Sequence, residues 1–197
     1  MVYETIFLRD SSVIRIPIPQ NYRDCLALIK SNLCRINENI SILSIIFKII
    51  LSPFSISSML IYFRLCKIRK GILYPFARGM YGFCSFLRHF QLPFYTKVGF
   101  GFYVGHGICV VINGGTIIGN NVNISQFLNI GTNKDTPAII GDNVYIAPMV
   151  AIVENVEIGT CSIVGAGAVV TKDVPAYCTV AGVPAKKISD KHRKISH

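Results

Sequence analysis

The chain is short of acid and of any ordered cysteine pattern. Ten aspartates and glutamates face twenty lysines and arginines, for a formal net charge of +10. That imbalance points to an anionic partner: a membrane surface, or an anionic cofactor and substrate. Nucleic acid is disfavoured, because no basic run is interleaved with aromatics. The seven cysteines (Cys25, Cys34, Cys66, Cys84, Cys109, Cys161, Cys178) are odd in number and scattered, with no Cys-x-x-Cys pair. A disulfide framework and a zinc site are therefore not expected, and reduced thiols in a cytoplasm are the simplest expectation. Met1 to Asp10 lacks a basic region leading into an apolar run, so no signal peptide is expected. An unbroken membrane span is missing too. Ile42 to Phe63 is apolar enough to raise the question, but Lys48, Pro53 and five serines interrupt it. It reads as two helices, packed in an oligomer core or lying on a bilayer. The cluster Arg64, Lys67, Arg69 and Lys70 reads equally as a solvated turn or as a contact for anionic headgroups.

What is present is a rhythm of six. Val98, Val104, Ile112, Ile118, Ile124 and Ile130 open it, and Ile140, Ile146, Ile152, Ile158, Val164 and Val170 continue it. The step breaks twice: by two extra residues around Gly105 to Val111, and over Thr132 to Pro137. A small residue usually follows the beat (Gly99, Gly105, Gly119, Ser125, Gly131, Gly141, Ala147, Gly159, Gly165), where a sharp backbone turn is expected. Six matches neither a helix nor a single strand. It predicts a parallel β-helix, mainly β, whose beat residues point inward and whose coils bury their apolar stripe by stacking.

Four parts follow. Residues 1–20, with Pro17 and Pro19, read as an extended arm. Residues 21–94 read as helical, with candidates at Tyr22 to Cys34, Ile42 to Leu51, a third helix from Ser52-Pro53 to about Arg64, and Leu73 to His89. Residues 95–175 are the β-helix and 176–197 a short polar, basic tail.

The segments GFGFYVGHGICVVINGGTIIGNNVNISQ (99–126) and VVTKDVPAYCTVAGVPAKKIS (169–189) resemble the left-handed β-helix, hexapeptide-repeat acyltransferases. Within them the likeness is to the serine acetyltransferase branch and its capsule and colanic acid O-acetyltransferase relatives. It runs over about 90 to 188. The resemblance implies a cytoplasmic homotrimer that transfers acetyl from acetyl-CoA without a metal. No second histidine stands at ligand spacing from His106, which disfavours the metal-dependent carbonic anhydrases of the same architecture. The motif histidine, here His106, is implied to be the catalytic base; imidazole titrates near neutrality and suits the task. Acetyl-CoA is implied to lie along a groove between subunits, touching the turns Ala147-Pro148 and Gly165-Ala166, with Lys172, Lys186 and Lys187 toward its phosphates.

The departures bear on the acceptor. Serine acetyltransferases carry an aspartate fifteen residues before the histidine, where this chain has Gln91. Gln91 can orient an imidazole through its amide oxygen but cannot balance its charge. The aspartate just before the histidine is here Gly105, and the Arg-His pair of the later loop is replaced by Asp135 and Thr136. Those positions have lost the countercharges that zwitterionic serine needs. The expected acceptor is therefore a sugar hydroxyl in surface polysaccharide biosynthesis, with Asn129 and Gln126 as hydrogen-bonding candidates and Thr132 to Pro137 as a flap. Peripheral contact with the inner face of the cytoplasmic membrane would bring a lipid-linked sugar within reach. Two rivals stand: serine O-acetylation for cysteine biosynthesis, and a non-catalytic β-helix scaffold.

Overall fold

A computed structural model describes residues 1–34, 40–131, 137–153 and 155–192. Asp135 and Thr136 lie outside the described residues. The first twenty residues form more than an extended arm. β1 (Val2–Phe7) and β2 (Val13–Ile18) pair antiparallel as a hairpin. Ser11, at φ 66°, closes its turn, and Asp10 accepts from the Ser12 amide at 2.9 Å. Leu8, Ile14 and Ile16 are buried against Ile117 and Ile139, so the hairpin covers one outer face of the coil.

Four helices follow: α1 (Tyr22–Cys34), α2 (Ile42–Leu51), α3 (Ile56–Leu65) and α4 (Tyr74–Arg88). The start of α3 differs from the sequence expectation. Ser52 ends α2, and Pro53 lies in the turn between the helices. Ser55 is the N-cap, its Oγ accepting from the Ser58 amide at 3.2 Å. Among the described residues no single helix is long and apolar enough to cross a membrane; α2 and α3 meet at a bend of 117°. α2 leaves Leu43, Phe47 and Ile50 outside, whereas Met59 to Arg64 of α3 are buried. Met59 and Phe63 join Tyr81 and Cys84 of α4 in one core with Phe90 and Phe102, closing the first coil.

Short strands then stack parallel on three faces. Face one holds β3 (Phe90–Gln91), β6 (Val110–Ile112), β9 (Asn129–Ile130), β12 (Ala151–Ile152) and β15 (Val169–Val170). Face two holds β4 (Lys97–Val98), β7 (Ile117–Ile118), β10 (Ile139–Ile140) and β13 (Glu157–Ile158). Face three holds β5 (Tyr103–Val104), β8 (Asn123–Ile124), β11 (Tyr145–Ile146), β14 (Ile163–Val164) and β16 (Thr179–Ala181). An antiparallel strand, β17 (Lys186–Ser189), ends that sheet. All the beat residues, Val98 to Val170, are at most 4% exposed. Each such aliphatic burial contributes about 1.5–3 kcal/mol.

The small residue after the beat has a different reason from the expected sharp turn. Left-handed φ falls two positions later, at Asn121, Phe127, Asn143, Met149 and Cys161. After the strands of face two, at Gly99, Gly119, Gly141 and Gly159, the glycine instead permits close stacking. A Cβ on Gly119 would stand 2.6 Å from the Gly141 carbonyl oxygen, and one on Gly159 2.3 Å from the Ala176 nitrogen. Coils at the normal strand spacing leave no room there.

Candidate active site

The edge where face three turns into face one carries the histidine. Its corners follow a repeating pattern of backbone bonds. Met149 N donates to Gln126 O at 3.0 Å, and Gly167 N to Pro148 O at 2.9 Å. One coil earlier, Phe127 N donates to Ile108 O at 3.1 Å. Ile108 therefore occupies the place that Gln126 and Pro148 hold above it. Gly105 N, donating to Ile124 O at 2.8 Å, occupies the place of Ser125 and Ala147. The two extra residues in the rhythm are thus His106 and Gly107, looped out of an otherwise regular corner.

That insertion presents the imidazole. His106 takes left-handed φ, 49°, and is exposed. Gly107 allows the loop to fold tightly: a Cβ there would stand 2.7 Å from Val104 Cγ1 and 3.4 Å from the Phe90 ring. His106 lines a cavity of about 300 Å³ with Asn32, Leu33, Ile56, Ser57, Leu60, Tyr103 and Val104. The walls come from α1, α3 and the first coil. Asn32 is 3% exposed. Its Oδ1 accepts from Phe102 N at 3.0 Å and from Arg64 Nη2 at 3.1 Å. Its Nδ2 has no partner among the described residues. No carboxylate is among the described residues that line this cavity.

The edge gathers several of the residues expected from sequence. Gly105, Gln126, Ala147, Pro148, Gly165 and Ala166 lie along it, one corner above another. At about 4.8 Å per coil, the turn Ala147-Pro148 lies roughly 10 Å along the edge from His106, and Gly165-Ala166 one coil further. Gln126 is partly buried and its Oε1 is unpaired among the described residues. Lys186 is exposed opposite Ala181, near the far end of the same edge. Lys187 is bound to Asp190 at 2.5 Å.

Other candidates stand apart within one chain. Gln91 projects from face one in register with Val111 and lines a groove with Arg78, Tyr81, Phe94 and Tyr95. That groove and the His106 cavity share no lining residue. The looped-out dipeptide carries the imidazole toward α1 and α3, away from Gln91. Asn129 is exposed on face one between Val111 and Ala151. Lys172 sits at the corner between faces one and two, beside Asp173, which is bound to Arg9 at 2.7 Å. Gly105 is glycine for no steric reason: an added Cβ would meet its nearest atom at 3.6 Å, in ordinary contact. Sequence reasoning missed Asn32, Ile56, Ser57 and Leu60, because nothing in a helical stretch marks which residues will face a loop seventy positions on. Among the described residues no cluster of histidine, cysteine or acidic groups could hold a metal ion.

Residues 137–172 match the model of the bacterial transferase hexapeptide, six repeats. A serine acetyltransferase of Staphylococcus epidermidis is 34% identical over 133 residues, which are 66% of this chain and 62% of that protein. One from Buchnera aphidicola is 40% identical over 108 residues, 51% of this chain and 41% of the relative. The chain thus spans less than two thirds of the length of these curated relatives. Among solved structures, serine acetyltransferase from Brucella abortus superposes with a TM-score of 0.67 at 24% identity, over 86% of this chain and 70% of the other. The soybean serine acetyltransferase complexed with serine gives 0.63 at 26%, over 83% and 68%. Repeat, coil and likeness together give this chain the left-handed β-helix fold of hexapeptide-repeat proteins. Within that class, the relatives it is similar to are serine acetyltransferases.

Proposed function

We propose that the chain is an acetyl-CoA-dependent O-acetyltransferase in which His106 is the general base. The observation that carries this reading is the His106-Gly107 insertion. It holds an exposed imidazole over a cavity, on the same edge as the turns Ala147-Pro148 and Gly165-Ala166. Related structures include complexes with CoA. In the reaction, the acceptor oxygen forms a bond to the acetyl carbon as the carbon–sulfur bond breaks. His106 takes the hydroxyl proton and returns it to the departing thiolate, so CoA leaves as the thiol. A positioned base contributes about 10²- to 10⁴-fold. The subunits would form a trimer, with acetyl-CoA along the edge.

The relatives' names favour L-serine as the acceptor over the surface-polysaccharide sugar expected from sequence alone. One observation keeps the sugar reading. The described walls of the His106 cavity offer Asn32, Ser57 and Tyr103 but no charged group to meet an ammonium or a carboxylate. Neutral hydrogen-bonding walls suit a polyol; a zwitterion buried among them would lack countercharge. The test is thiol release from acetyl-CoA with L-serine, nucleotide sugars and oligosaccharides. Serine-dependent release supports the first reading and sugar-dependent release the second; no release with either, by a protein that also fails to bind acetyl-CoA, favours a scaffold.

A further inference from the structure

No aspartate or glutamate occurs between Glu38 and Asp135, yet this stretch contains Arg64, the most deeply buried cation among the described residues. Arg64 is wholly inaccessible. Its Nη1 donates to Val98 O at 2.8 Å, and its Nη2 to Gly99 O at 2.5 Å and to Asn32 Oδ1. Its Nε has no partner among the described residues. One helical turn on, the Lys67 ammonium donates to Thr96 O at 2.6 Å and lies 4.6 Å from the centre of the Phe63 ring. Among the described residues, carbonyl dipoles and a ring face offset these two charges, and neither is in an ion pair with a carboxylate. Buried charges are ordinarily paired. Burial and the neighbouring Arg64 push Lys67 down to about 7, and burial pushes Arg64 down to about 9.

Both side chains line a cavity of about 200 Å³, roofed by Ile16 to Pro19 of the hairpin and floored by Tyr95 and Val98 of the first coil. Lys97 is also at its rim, but its ammonium is taken by Glu4 at 2.6 Å. The space far exceeds the roughly 10–15 Å³ that a single water needs. We propose that this cavity is an anion site. It takes a phosphate group, free or at the end of a small phosphomonoester, at the Lys67 ammonium, with the inaccessible Arg64 guanidinium adding its charge from behind the wall. The ammonium is already fixed by Thr96 O and the Phe63 ring, so its charge-assisted bond to the ligand needs little ordering on binding. The site lies under the N-terminal hairpin on face two, away from the His106 edge, and does not depend on the reaction proposed above.

The experiment is thermal unfolding of the full chain in chloride, with inorganic phosphate or a phosphomonoester such as glucose 6-phosphate replacing it at constant ionic strength. A ligand that binds only the folded state raises the midpoint, by about 5–10 °C at a hundredfold excess over its Kd. The expected result is such a rise with either or both probes, lost in Lys67→Met and kept in Lys70→Gln on the neighbouring surface. Response to inorganic phosphate alone assigns the free ion, and response to both assigns the terminal group. Arg64→Met is a poor probe, because Arg64 also holds two carbonyls of the first coil. A midpoint that follows ionic strength only overturns the proposal, as does an undiminished response in Lys67→Met or an equal loss in Lys70→Gln.

Discussion

At the scale of the residue, two adjacent positions carry the proposed chemistry of the corner. The His106 ring is exposed and its backbone is left-handed, a conformation that asparagine tolerates better than alanine. His106→Asn should therefore unfold within about 1 °C of the parent while CoA release falls about 10²- to 10⁴-fold; thermal melts beside a thiol assay check both. Gly107→Ala places a methyl 2.7 Å from Val104 Cγ1. Overpacking of this kind costs about 1–3 kcal/mol, and relief requires the loop to shift. Both the unfolding midpoint and the turnover of Gly107→Ala should fall. The insertion at His106 was legible in the sequence because it interrupts a strict rhythm inside a recognisable block. Asn32 was not: a single asparagine in a helix carries no sign that its amide will meet a loop from the coil.

At the scale of the element, the helices and hairpin show where pattern suffices and where chemistry must arbitrate. Ser52-Pro53 and Ser55 both offer a start for α3, and the serine that places Oγ 3.2 Å from an amide three residues on is Ser55. Ser55→Ala should cost about 1 kcal/mol in denaturant unfolding, and Ser52→Ala less. The hairpin was legible only as extended chain, because its partner face is built from Ile117 and Ile139, a hundred residues later. The cationic end of α3 gives a pH prediction. Lys67 titrates near 7 when folded, against an ordinary lysine value of 10.5 when unfolded. Above pH 7 the unfolded chain holds a proton that the folded one has released, so stability rises with pH. Arg64 and Arg69 face this ammonium and depress it, while the neighbouring thiols of Cys25 and Cys66, near 11, stay neutral between pH 7 and 8.5. In that window, the midpoint of the parent should climb relative to that of Lys67→Met in phosphate-free buffer; parallel curves would contradict the assignment.

At the scale of the whole molecule, the six-residue rhythm is enough to build the coil, since every beat residue is inward and nearly dry. It does not say why glycine follows the beat on face two. That reason is the stacking distance between coils, visible only once Gly119 and Gly141 stand one above the other. Nor does it assemble the site: Gln91 and His106 belong to separate grooves of one chain. A trimer is expected to complete the edge, and sedimentation equilibrium should give three times the chain mass. The measurement closest to the central claim compares His106→Asn with the parent for acetyl-CoA binding and for turnover with the best acceptor. Retained binding with turnover lowered at least about a hundredfold is predicted. Turnover within a few-fold of the parent would contradict His106 as the base and return the insertion to a purely structural role.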